Sequence, residues 1–322
     1  CDITLGMFMR PTMMVIFDSV TGTIYLITSV YVNDDIDAHT AYEDALKRIA
    51  SIKESLQKTL DYSPLTVSDQ DKSVSFAPNM SKQEFKDMVE KAKEYIVAGD
   101  IFQVVPSQRF ETDFKLPPFS FYRSLRHLNP SPFLFFLQFG DFQLIGSSPE
   151  IMVRLRDEEV TIRPLAGTRR RGQNSAEDNA LSEELLADEK ELAEHLMLVD
   201  LSRNDVGRVA KPGTVTVTEK NIIEYYSHVM HISSNVKGEI DPKYDAIDAL
   251  FAGLPVGTVS GAPKVRAMQI IDELEPVKRG FYAGCVGYFS ANGDMDTCIT
   301  LRTGLIKDNK LKVQSGVGVV AD

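Results

Sequence analysis

The chain has 322 residues, 43% of them hydrophobic and 25% charged, as in a globular protein that buries a core without disulfides. Its 46 acidic and 35 basic residues give a net charge of −11, which excludes a general nucleic-acid binder because such proteins carry a basic excess. The 3 cysteines lack zinc-site spacing, and no apolar run is long enough to span a membrane. We therefore expect a cytoplasmic protein with no nucleic-acid or membrane partner.

The N-terminal half predicts a strand pair, two helices and a strand meander. The second helix is the clearest, because Ser81 and Glu84 form a capping box and Gly99 ends the apolar pattern. The nearly continuous apolar run from Phe133 to Phe139 predicts a buried strand. In chain order the predicted elements are strands Met13–Phe17 and Ile24–Tyr31, helices Ala41–Leu60 and Ser81–Ala98, and strands Phe133–Phe139, Leu144–Ser147, Ile151–Leu155 and Glu159–Arg163.

The C-terminal half predicts a long helix and then strands in consecutive hairpins, with Asp308-Asn309 as the last turn. Strands that follow one another directly favour an antiparallel α+β fold over a doubly wound sheet. The predicted elements are helix Ala176–Ser202, strands Thr214–Thr218 and Val229–Val236, helices Asp245–Phe251 and Lys264–Leu274, and strands Ala283–Ser290, Met295–Leu301, Gly304–Ile306 and Lys310–Gln314.

The segment TIRPLAGTRRRG, from Thr161 to Gly172, joins a strand to a small-residue turn after Pro164 and then to three arginines. Such a turn presents backbone N–H groups and cations where an anionic substrate can sit. The arginines Arg169–Arg171 are either a local anion clamp or a solvated turn. Ala166, in the middle of the turn, offers no reactive group.

Two carboxylates stand on one face of the longest predicted helix. Glu191 and Glu194 are three residues apart, which brings their side chains together. Paired carboxylates suit a hard cation such as Mg²⁺, which takes oxygen ligands and keeps several waters. The alternative is an acidic exposed face, because Glu183, Glu184 and Glu189 are close in sequence.

Two segments rich in small residues are candidate anion sites. Pro255–Met268 is a turn that presents the Thr258 hydroxyl near a helix start, although it lacks the Walker A pattern and is otherwise a tight connection. Ser315–Val320 carries Gly316 and Gly318, which allow a close backbone approach to a ligand. The alternative for this second segment is a strand with a bulge, since it lacks the third glycine of a dinucleotide fingerprint.

Three further polar residues lie between apolar strand residues. Arg302 requires a carboxylate, either from a substrate or from a structural salt bridge. His228 and His231 flank two strand residues, so they point to opposite faces and cannot line the same pocket.

Long motifs of the chain resemble one family. The sequence is similar to the chorismate-utilising enzymes, and among them most closely to the large-subunit (component I) family of anthranilate synthases. The motifs that carry the resemblance are GDIFQVVPSQRF, SSPEIMVRL, TIRPLAGTRRRG, ELAEHLMLVDLSRNDVGRV, VMHISSNVKG, PVGTVSGAPKVRAMQIIDELE, GYFS, CITLRTG and SGVGVVAD.

The resemblance implies an α+β fold in which two antiparallel sheets pack orthogonally as a sandwich, with helices outside. It implies one catalytic domain over residues 1–322. The N-terminal part of the family and its C-terminal helix, which carries further metal-binding glutamates, are expected to be missing.

The resemblance also assigns roles. Glu194 matches the direct Mg²⁺ ligand, and Glu191 lies behind it; the ion holds the ring carboxylate of chorismate. Glu150 matches the acid that helps the C4 hydroxyl leave. His231 and Thr258 match catalytic positions, with His231 near the group that is eliminated.

The other end of the substrate is expected to be held by a second set of residues. Arg302 and Tyr288 match a clamp on the enolpyruvyl carboxylate, assisted by backbone N–H groups near Gly316 and Gly318. Gly167 and Thr168, in the small-residue turn, are expected to bind substrate as well.

Two positions separate the branches of the family. Relatives that add water carry a lysine base where this chain has Gln103, and glutamine cannot deprotonate water. Aminodeoxychorismate synthases often carry a nucleophilic lysine where this chain has Ala166. Direct attack of ammonia at C2 is then expected, with elimination of pyruvate to give anthranilate.

The resemblance further implies two partners and leaves two alternatives. A glutamine amidotransferase subunit (component II) would supply the ammonia. L-tryptophan would inhibit from a pocket whose wall includes Pro132, Phe133 and Leu134. The alternatives are an aminodeoxychorismate synthase, or a truncated remnant that binds chorismate or tryptophan without turnover.

Overall fold

A computed structural model describes residues 3–30, 36–60 and 74–321. The chain divides into two compact units, Asp2–Ser73 and Val74–Asp322, which are described separately. The single domain expected over residues 1–322 stays a prediction.

The smaller unit contains a hairpin and a helix. Strands β1 (Met13–Asp18) and β2 (Thr23–Thr28) pair in antiparallel fashion, and helix α1 spans Ala38–Gln57. The helix begins before the predicted Ala41, because Asp37 caps it by accepting hydrogen bonds from the backbone N–H groups of His39 and Thr40. Tyr31, the predicted end of the second strand, lies outside the described residues.

The larger unit contains seven helices and fifteen short strands in its described part, residues 74–321. Its helices are α2 (Lys82–Val97), α3 (Pro118–Leu128), α4 (Ser175–Ala187), α5 (Glu189–Gly207), α6 (Ala246–Gly253), α7 (Gly257–Ser260) and α8 (Lys264–Leu274). Its strands are β3 (Ala77–Pro78), β4 (Gln103–Val104), β5 (Ser107–Asp113), β6 (Phe133–Phe139), β7 (Phe142–Ser148), β8 (Ile151–Arg156), β9 (Glu159–Ile162), β10 (Leu165–Arg170), β11 (Thr216–Tyr225), β12 (Val229–Glu239), β13 (Gly261–Ala262), β14 (Cys285–Phe289), β15 (Met295–Ile299), β16 (Thr303–Lys307) and β17 (Lys310–Gly316).

The strands of this unit form two large sheets and one short pair. The first sheet has the order β10-β12-β9-β8-β15-β14, with β11 also paired to β12. The second has the order β3-β5-β17-β16-β7-β6, and β4 pairs with β13. Every pairing is antiparallel, which confirms the predicted α+β class. The orthogonal crossing of the two sheets stays a prediction.

Separate apolar clusters hold helices to these sheets. One packs α5 and α6 on the first sheet around Met152, Val206 and Ile299. Another joins α2 and α8 to β4 through Ala92, Val104, Ala267 and Ile270, and it includes Val319. The short strand β4 is therefore fixed between elements that are distant in sequence.

The sequence predicted one helix over Ala176–Ser202, and that prediction was wrong in one respect. The chain forms two helices, α4 and α5, which are separated at Asp188. The Asp188 carboxylate accepts hydrogen bonds from the backbone N–H groups of Lys190 and Glu191 and so starts α5. Aspartate competes in this way for backbone donors, which ends one helix and begins the next.

Two other predictions also need correction. The small-residue turn after Pro164 is strand β10, and its register shifts between Ala166 and Thr168 because Gly167 forms a bulge at φ +64°. The apolar strand β6 lies at the edge of its sheet and is half-buried rather than buried. The pattern also gave no sign of β5 or α3, although Pro117-Pro118 is a suitable helix start.

Candidate active site

A cavity of about 320 Å³ opens within the larger unit, where loops and strand ends of both large sheets meet. It is lined by residues from segments that span Val105 to Gly318. Eight residues predicted from sequence line it, namely Glu150, Ala166, Thr168, His231, Thr258, Arg302, Gly316 and Gly318. These eight residues, which are far apart in sequence, therefore lie around one cavity.

Glu150 is a buried carboxyl in the loop between β7 and β8, and it is 4% exposed. Burial raises its pKa from 4.5 to about 8, while the nearby Thr258 hydroxyl and the Leu165 backbone N–H lower it in part. Neither Glu150 Oε1 nor the Thr258 hydroxyl completes a hydrogen bond of normal geometry. Glu150 is consequently protonated at neutral pH and can donate its proton to a group bound in the cavity.

His231 lies on β12, where burial lowers the pKa of its imidazole. Its Nδ1 is 3.0 Å from the Gly167 carbonyl oxygen and 3.1 Å from the Thr168 hydroxyl. A carbonyl oxygen only accepts hydrogen bonds, so we assign the proton to Nδ1. Nε2 is then the basic nitrogen of a neutral imidazole. His228 is exposed and does not line the cavity, as expected from strand alternation.

Arg302 follows β15 and lines the cavity from a backbone with φ +47°. Burial lowers the pKa of its guanidinium group. Its Nη1 donates a hydrogen bond to Asn129 Oδ1 at 3.3 Å. The guanidinium is thus available to an anion in the cavity while one nitrogen is held by the protein.

The predicted tyrosine is not in the cavity. Tyr288 lies on the edge strand β14 and is 54% exposed, whereas Tyr282 lines the cavity and is 6% exposed. A Cβ on Gly316 would stand 2.8 Å from the Tyr282 hydroxyl, so these two residues adjoin. Tyr282 therefore lines the cavity next to Gly316, whereas Tyr288 lies outside it.

Gln103 and Glu194 adjoin the cavity at Gly318. The buried Gln103 donates a hydrogen bond from Nε2 to Glu194 Oε1 at 2.8 Å. A Cβ on Gly318 would lie 3.2 Å from Gln103 Nε2 and 3.8 Å from Glu194 Oε1. Burial, and the charge of Glu191, raise the pKa of Glu194.

The second carboxylate of the pair lies behind the bulge in β10. A Cβ on Gly167 would stand 3.1 Å from Glu191 Oε2, so a methyl group there would require the carboxylate to shift. Arg169 Nη1 approaches Glu191 Oε1 at 3.5 Å. Glu191 and Glu194 are both half-buried, which contradicts the alternative of an exposed acidic face.

These two carboxylates fit a divalent cation that takes only part of its coordination from the protein. The charge of Glu191 raises the pKa of Glu194, and carboxylate oxygens are the donors that Mg²⁺ prefers, with the remaining positions left for water and substrate. Among residues 3–30, 36–60 and 74–321, no group of three or more His, Cys, Asp or Glu side chains is arranged around one metal position.

The arginines of TIRPLAGTRRRG are held by protein carboxylates rather than by the cavity. Arg169 pairs with Glu184 and Asp188, and Arg170 pairs with Glu177. Arg171 pairs with Asp178 and also donates to the Tyr226 carbonyl. Their contacts tie β10 to α4 and α5, so the arginines do not form an anion clamp in the cavity, and Arg170 keeps a side chain that is 66% exposed.

The residues predicted for an inhibitor pocket do not line this cavity. Pro132 is exposed just before β6, and Phe133 and Leu134 begin that edge strand. Phe133 pairs with Ser148, two residues before Glu150.

In the part of the chain that the structure describes, no helix is long and apolar enough to cross a membrane.

Comparisons with known proteins agree with this geometry. The family model for the chorismate binding enzyme matches residues 2–322. Anthranilate synthase component 1 of Cereibacter sphaeroides is 58% identical over 321 residues, which cover 98% of this chain and 63% of the relative. The Pseudomonas putida protein of the same name is 50% identical over 314 residues, covering 96% of this chain and 62% of its own length.

Solved structures give the same result. A crystal structure of anthranilate synthase component I from Streptococcus pneumoniae matches with a TM-score of 0.86 and 43% identity, over 96% of this chain and 67% of that one. The menaquinone-specific isochorismate synthase MenF of Escherichia coli matches with a TM-score of 0.73 and 25% identity, over 88% of this chain and 64% of that one. The chain spans less than two thirds of the length of the two curated relatives named above. Its cavity, its motifs and these matches agree, and the chain belongs to the chorismate-binding enzyme family.

Proposed function

We propose that this chain carries the active site of an anthranilate synthase large subunit, which converts chorismate and ammonia into anthranilate, pyruvate and water. The buried, protonated Glu150 in a cavity that also holds Arg302 carries the proposal, because the reaction needs a proton for its leaving hydroxyl and a cation for a carboxylate. The proposal includes the orthogonal sandwich expected for the family.

In the first proposed step, ammonia attacks C2 of chorismate and the ring double bonds shift. The C4 hydroxyl leaves as water after it takes the proton of Glu150. The neighbouring Thr258 hydroxyl is placed to orient that carboxyl. Gln103 cannot take a proton from water at neutral pH and Ala166 has no nucleophile, so neither water nor a covalent lysine competes with ammonia.

In the second step C2 loses its proton, the bond from C3 to the ether oxygen breaks and the ring becomes aromatic. The released enolpyruvate takes up a proton at its methylene carbon and becomes pyruvate. The neutral imidazole of His231 is the basic group on this side of the cavity, and Nε2 can take the ring proton. Arg302 and Tyr282 are positioned to hold the enolpyruvyl carboxylate beside the backbone of Gly316.

We propose Mg²⁺ as the cofactor, held by Glu194 with Glu191 beside it. When bound, the ion supplies positive charge for the ring carboxylate of chorismate and for the charge that develops as the C4 hydroxyl leaves. Gln103 fixes the orientation of Glu194 through its 2.8 Å hydrogen bond.

The test is to incubate the purified chain with chorismate, Mg²⁺ and an ammonium salt and to follow anthranilate by its fluorescence. Formation of anthranilate supports the proposal. Accumulation of isochorismate or 4-amino-4-deoxychorismate instead would overturn it. Substitution Ala166→Lys provides a matched variant, because a gain of C4 amination there would show that this position selects the reaction branch.

We also propose a component II glutamine amidotransferase as partner and L-tryptophan as an inhibitor bound against Pro132, Phe133 and Leu134. The Arg302–Asn129 hydrogen bond supports the second proposal, since Asn129 lies three residues before Pro132. Inhibition of ammonium-dependent turnover by tryptophan, and its loss in Phe133→Ala, is the expected result. Undiminished inhibition in that variant would place the inhibitor elsewhere.

A further inference from the structure

A buried ion pair lies behind one wall of the cavity. Glu275 follows α8, and Arg279 lies four residues further on; their side chains are 4% and 15% exposed. Arg279 Nε is 3.1 Å from both carboxylate oxygens, and Nη2 donates to Oε1 at 2.7 Å. Neither residue touches the cavity directly.

The remaining N–H groups of Arg279 bind the cavity wall from outside. Nη1 donates to the Val259 carbonyl and Nη2 to the Val105 carbonyl, each at 2.6 Å. The guanidinium carbon lies 5.5 Å from the centre of the Tyr282 ring. Val105, Val259 and Tyr282 all line the cavity, so one side chain joins three wall segments that are far apart in sequence.

Glu275 extends the same network to a fourth segment. Its Oε1 accepts hydrogen bonds from the backbone N–H and the hydroxyl of Ser107, at 2.8 and 2.7 Å. The Ser107 hydroxyl in turn accepts a 2.7 Å hydrogen bond from Gln314 Nε2. Arg109 Nε donates to Gln314 Oε1, so both ends of this cavity-lining amide are fixed.

We propose that Glu275 and Arg279 are positioning residues that set the wall formed by Val105, Val259, Tyr282 and Gln314. A buried ion pair is weak evidence for net stability, because desolvation offsets its attraction. Only a planar guanidinium, with donors in a fixed fork, can serve a carboxylate and two carbonyls at once. This inference rests on the proposed function, which identifies the ligand as chorismate. The wall adjoins Gly316, where the enolpyruvyl carboxylate is proposed to bind.

The test compares Arg279→Met and Arg279→Lys with Lys264→Met. Lys264 forms an equally buried ion pair with Asp205, with side chains 14% and 9% exposed, and neither residue lines the cavity. Calorimetric titration with chorismate, and separately with Mg²⁺, measures the two ends of the site. We expect Arg279→Met to raise the chorismate dissociation constant about tenfold or more, as misplaced binding groups do, without changing Mg²⁺ affinity.

Arg279→Lys is expected to recover only part of the chorismate affinity that Arg279→Met loses, because one ammonium group cannot reach both carbonyls and the carboxylate. Lys264→Met should lower the melting temperature and leave chorismate affinity within about twofold. Equal chorismate affinity in Arg279→Met and wild type would overturn the proposal. If Arg279→Met does not fold, Glu275→Gln replaces it, with an expected loss of about threefold because its amide keeps part of the network.

A measurement without ligand separates this inference from the proposed function. Amide hydrogen exchange over residues 104–107, which are distant in sequence from both substitutions, should accelerate in Arg279→Met and stay unchanged in Lys264→Met. The wild-type chain could bind no chorismate in calorimetry while exchange still accelerates in Arg279→Met alone. That pair of results would overturn the proposed substrate and support the positioning role. Unchanged exchange in Arg279→Met would overturn the positioning role.

Discussion

At the scale of single residues, the buried Glu150 carboxyl has two consequences for pH dependence. Its pKa is raised from 4.5 to about 8 by burial, so the folded protein holds a proton that the unfolded chain releases near pH 4.5. The stabilising effect of that proton is complete below pH 4.5 and is lost as the pH rises through about 8. As the pH rises through about 8, Glu150 also loses the proton that it would donate.

We predict that Glu150→Gln lowers kcat by about 10²- to 10⁴-fold, the usual contribution of a general acid, with little change in KM. In the wild type the free energy of unfolding should fall between pH 5 and 8, by at most about 1.4 kcal/mol per pH unit for one proton, and this fall should be absent from the variant. Rate assays and urea titrations across this range measure both. The exposed Glu183→Gln is the control, and a parallel pH profile in wild type and Glu150→Gln would contradict the prediction.

Gly167 makes a second residue-scale prediction. An alanine there would take a left-handed backbone at φ +64° and press a methyl against Glu191. We expect Gly167→Ala to cost about 1–2 kcal/mol from the backbone alone and to raise the Mg²⁺ concentration needed for half-maximal activity. Chemical denaturation and Mg²⁺ titration measure the two effects.

The matched control is Gly213→Ala, which has φ +80° and open space around the added carbon. It should show the backbone cost alone. An equal Mg²⁺ requirement in the two variants would mean that the bulge does not position Glu191.

Sequence reasoning named eight of the sixteen residues that line the cavity, and the tyrosine that it named, Tyr288, is not among them. Tyr282 and Tyr288 both stand in glycine-rich, apolar surroundings, so composition could not separate them. The difference arises from Ala283, whose φ of +63° turns the chain just after Tyr282 and before β14 begins. A positive φ at a non-glycine residue has no reliable sequence signal.

At the scale of elements, the break at Asp188 sets the start of α5 and hence the angle at which Glu191 and Glu194 are presented. The Asp188 carboxylate caps the helix at 3.1 and 3.2 Å and also accepts a hydrogen bond from Arg169 Nη2 at 2.8 Å. It therefore joins β10, α4 and α5 at one point.

We predict that Asp188→Ala lowers the free energy of unfolding by about 1–2 kcal/mol and weakens Mg²⁺ activation, because the first turn of α5 loses its cap. Asp188→Asn should restore the cap and most of the stability. Asn174→Ala, which removes the cap of α4, should cost a similar amount without affecting Mg²⁺. Denaturation and Mg²⁺ titration of the three variants test this, and an equal Mg²⁺ effect in Asn174→Ala would refute the specific role of α5.

Helix and strand positions were largely predictable where local patterns agree with the fold. The cap at Ser81 and the hairpin at Asp308-Asn309, with φ values of 52° and 58°, match the predictions. Strand β10 was missed because a bulged glycine followed by charged residues resembles a turn. Its strand character comes from pairing with β12, which no local pattern contains.

At the scale of the whole molecule, substrate binding and folding are linked. The cavity draws its residues from both large sheets, so a ligand bound there stabilises the larger unit as a whole. A ligand at one hundred times its dissociation constant adds about 2.7 kcal/mol to the free energy of unfolding.

We predict that chorismate with Mg²⁺ raises the melting temperature by several degrees and that Glu194→Gln loses the Mg²⁺-dependent part of the shift. Scanning calorimetry with chorismate alone, Mg²⁺ alone and both together measures these contributions. Glu90→Gln, whose side chain is 72% exposed on α2, is the control. A shift that is equally large in Glu194→Gln would exclude that carboxylate as the metal ligand.

The strand order of the second sheet has a consequence for biosynthesis. Strands β16 and β17 come last in the chain yet occupy the middle of the order β3-β5-β17-β16-β7-β6, so Ser107 and Gln314 meet although they are 207 residues apart. A ribosome that has not yet released the β16–β17 hairpin holds a nascent chain in which β5 and β7 present open edges. We expect the cavity to form only after that hairpin inserts, and the open edges of β5 and β7 stay exposed to aggregation until then.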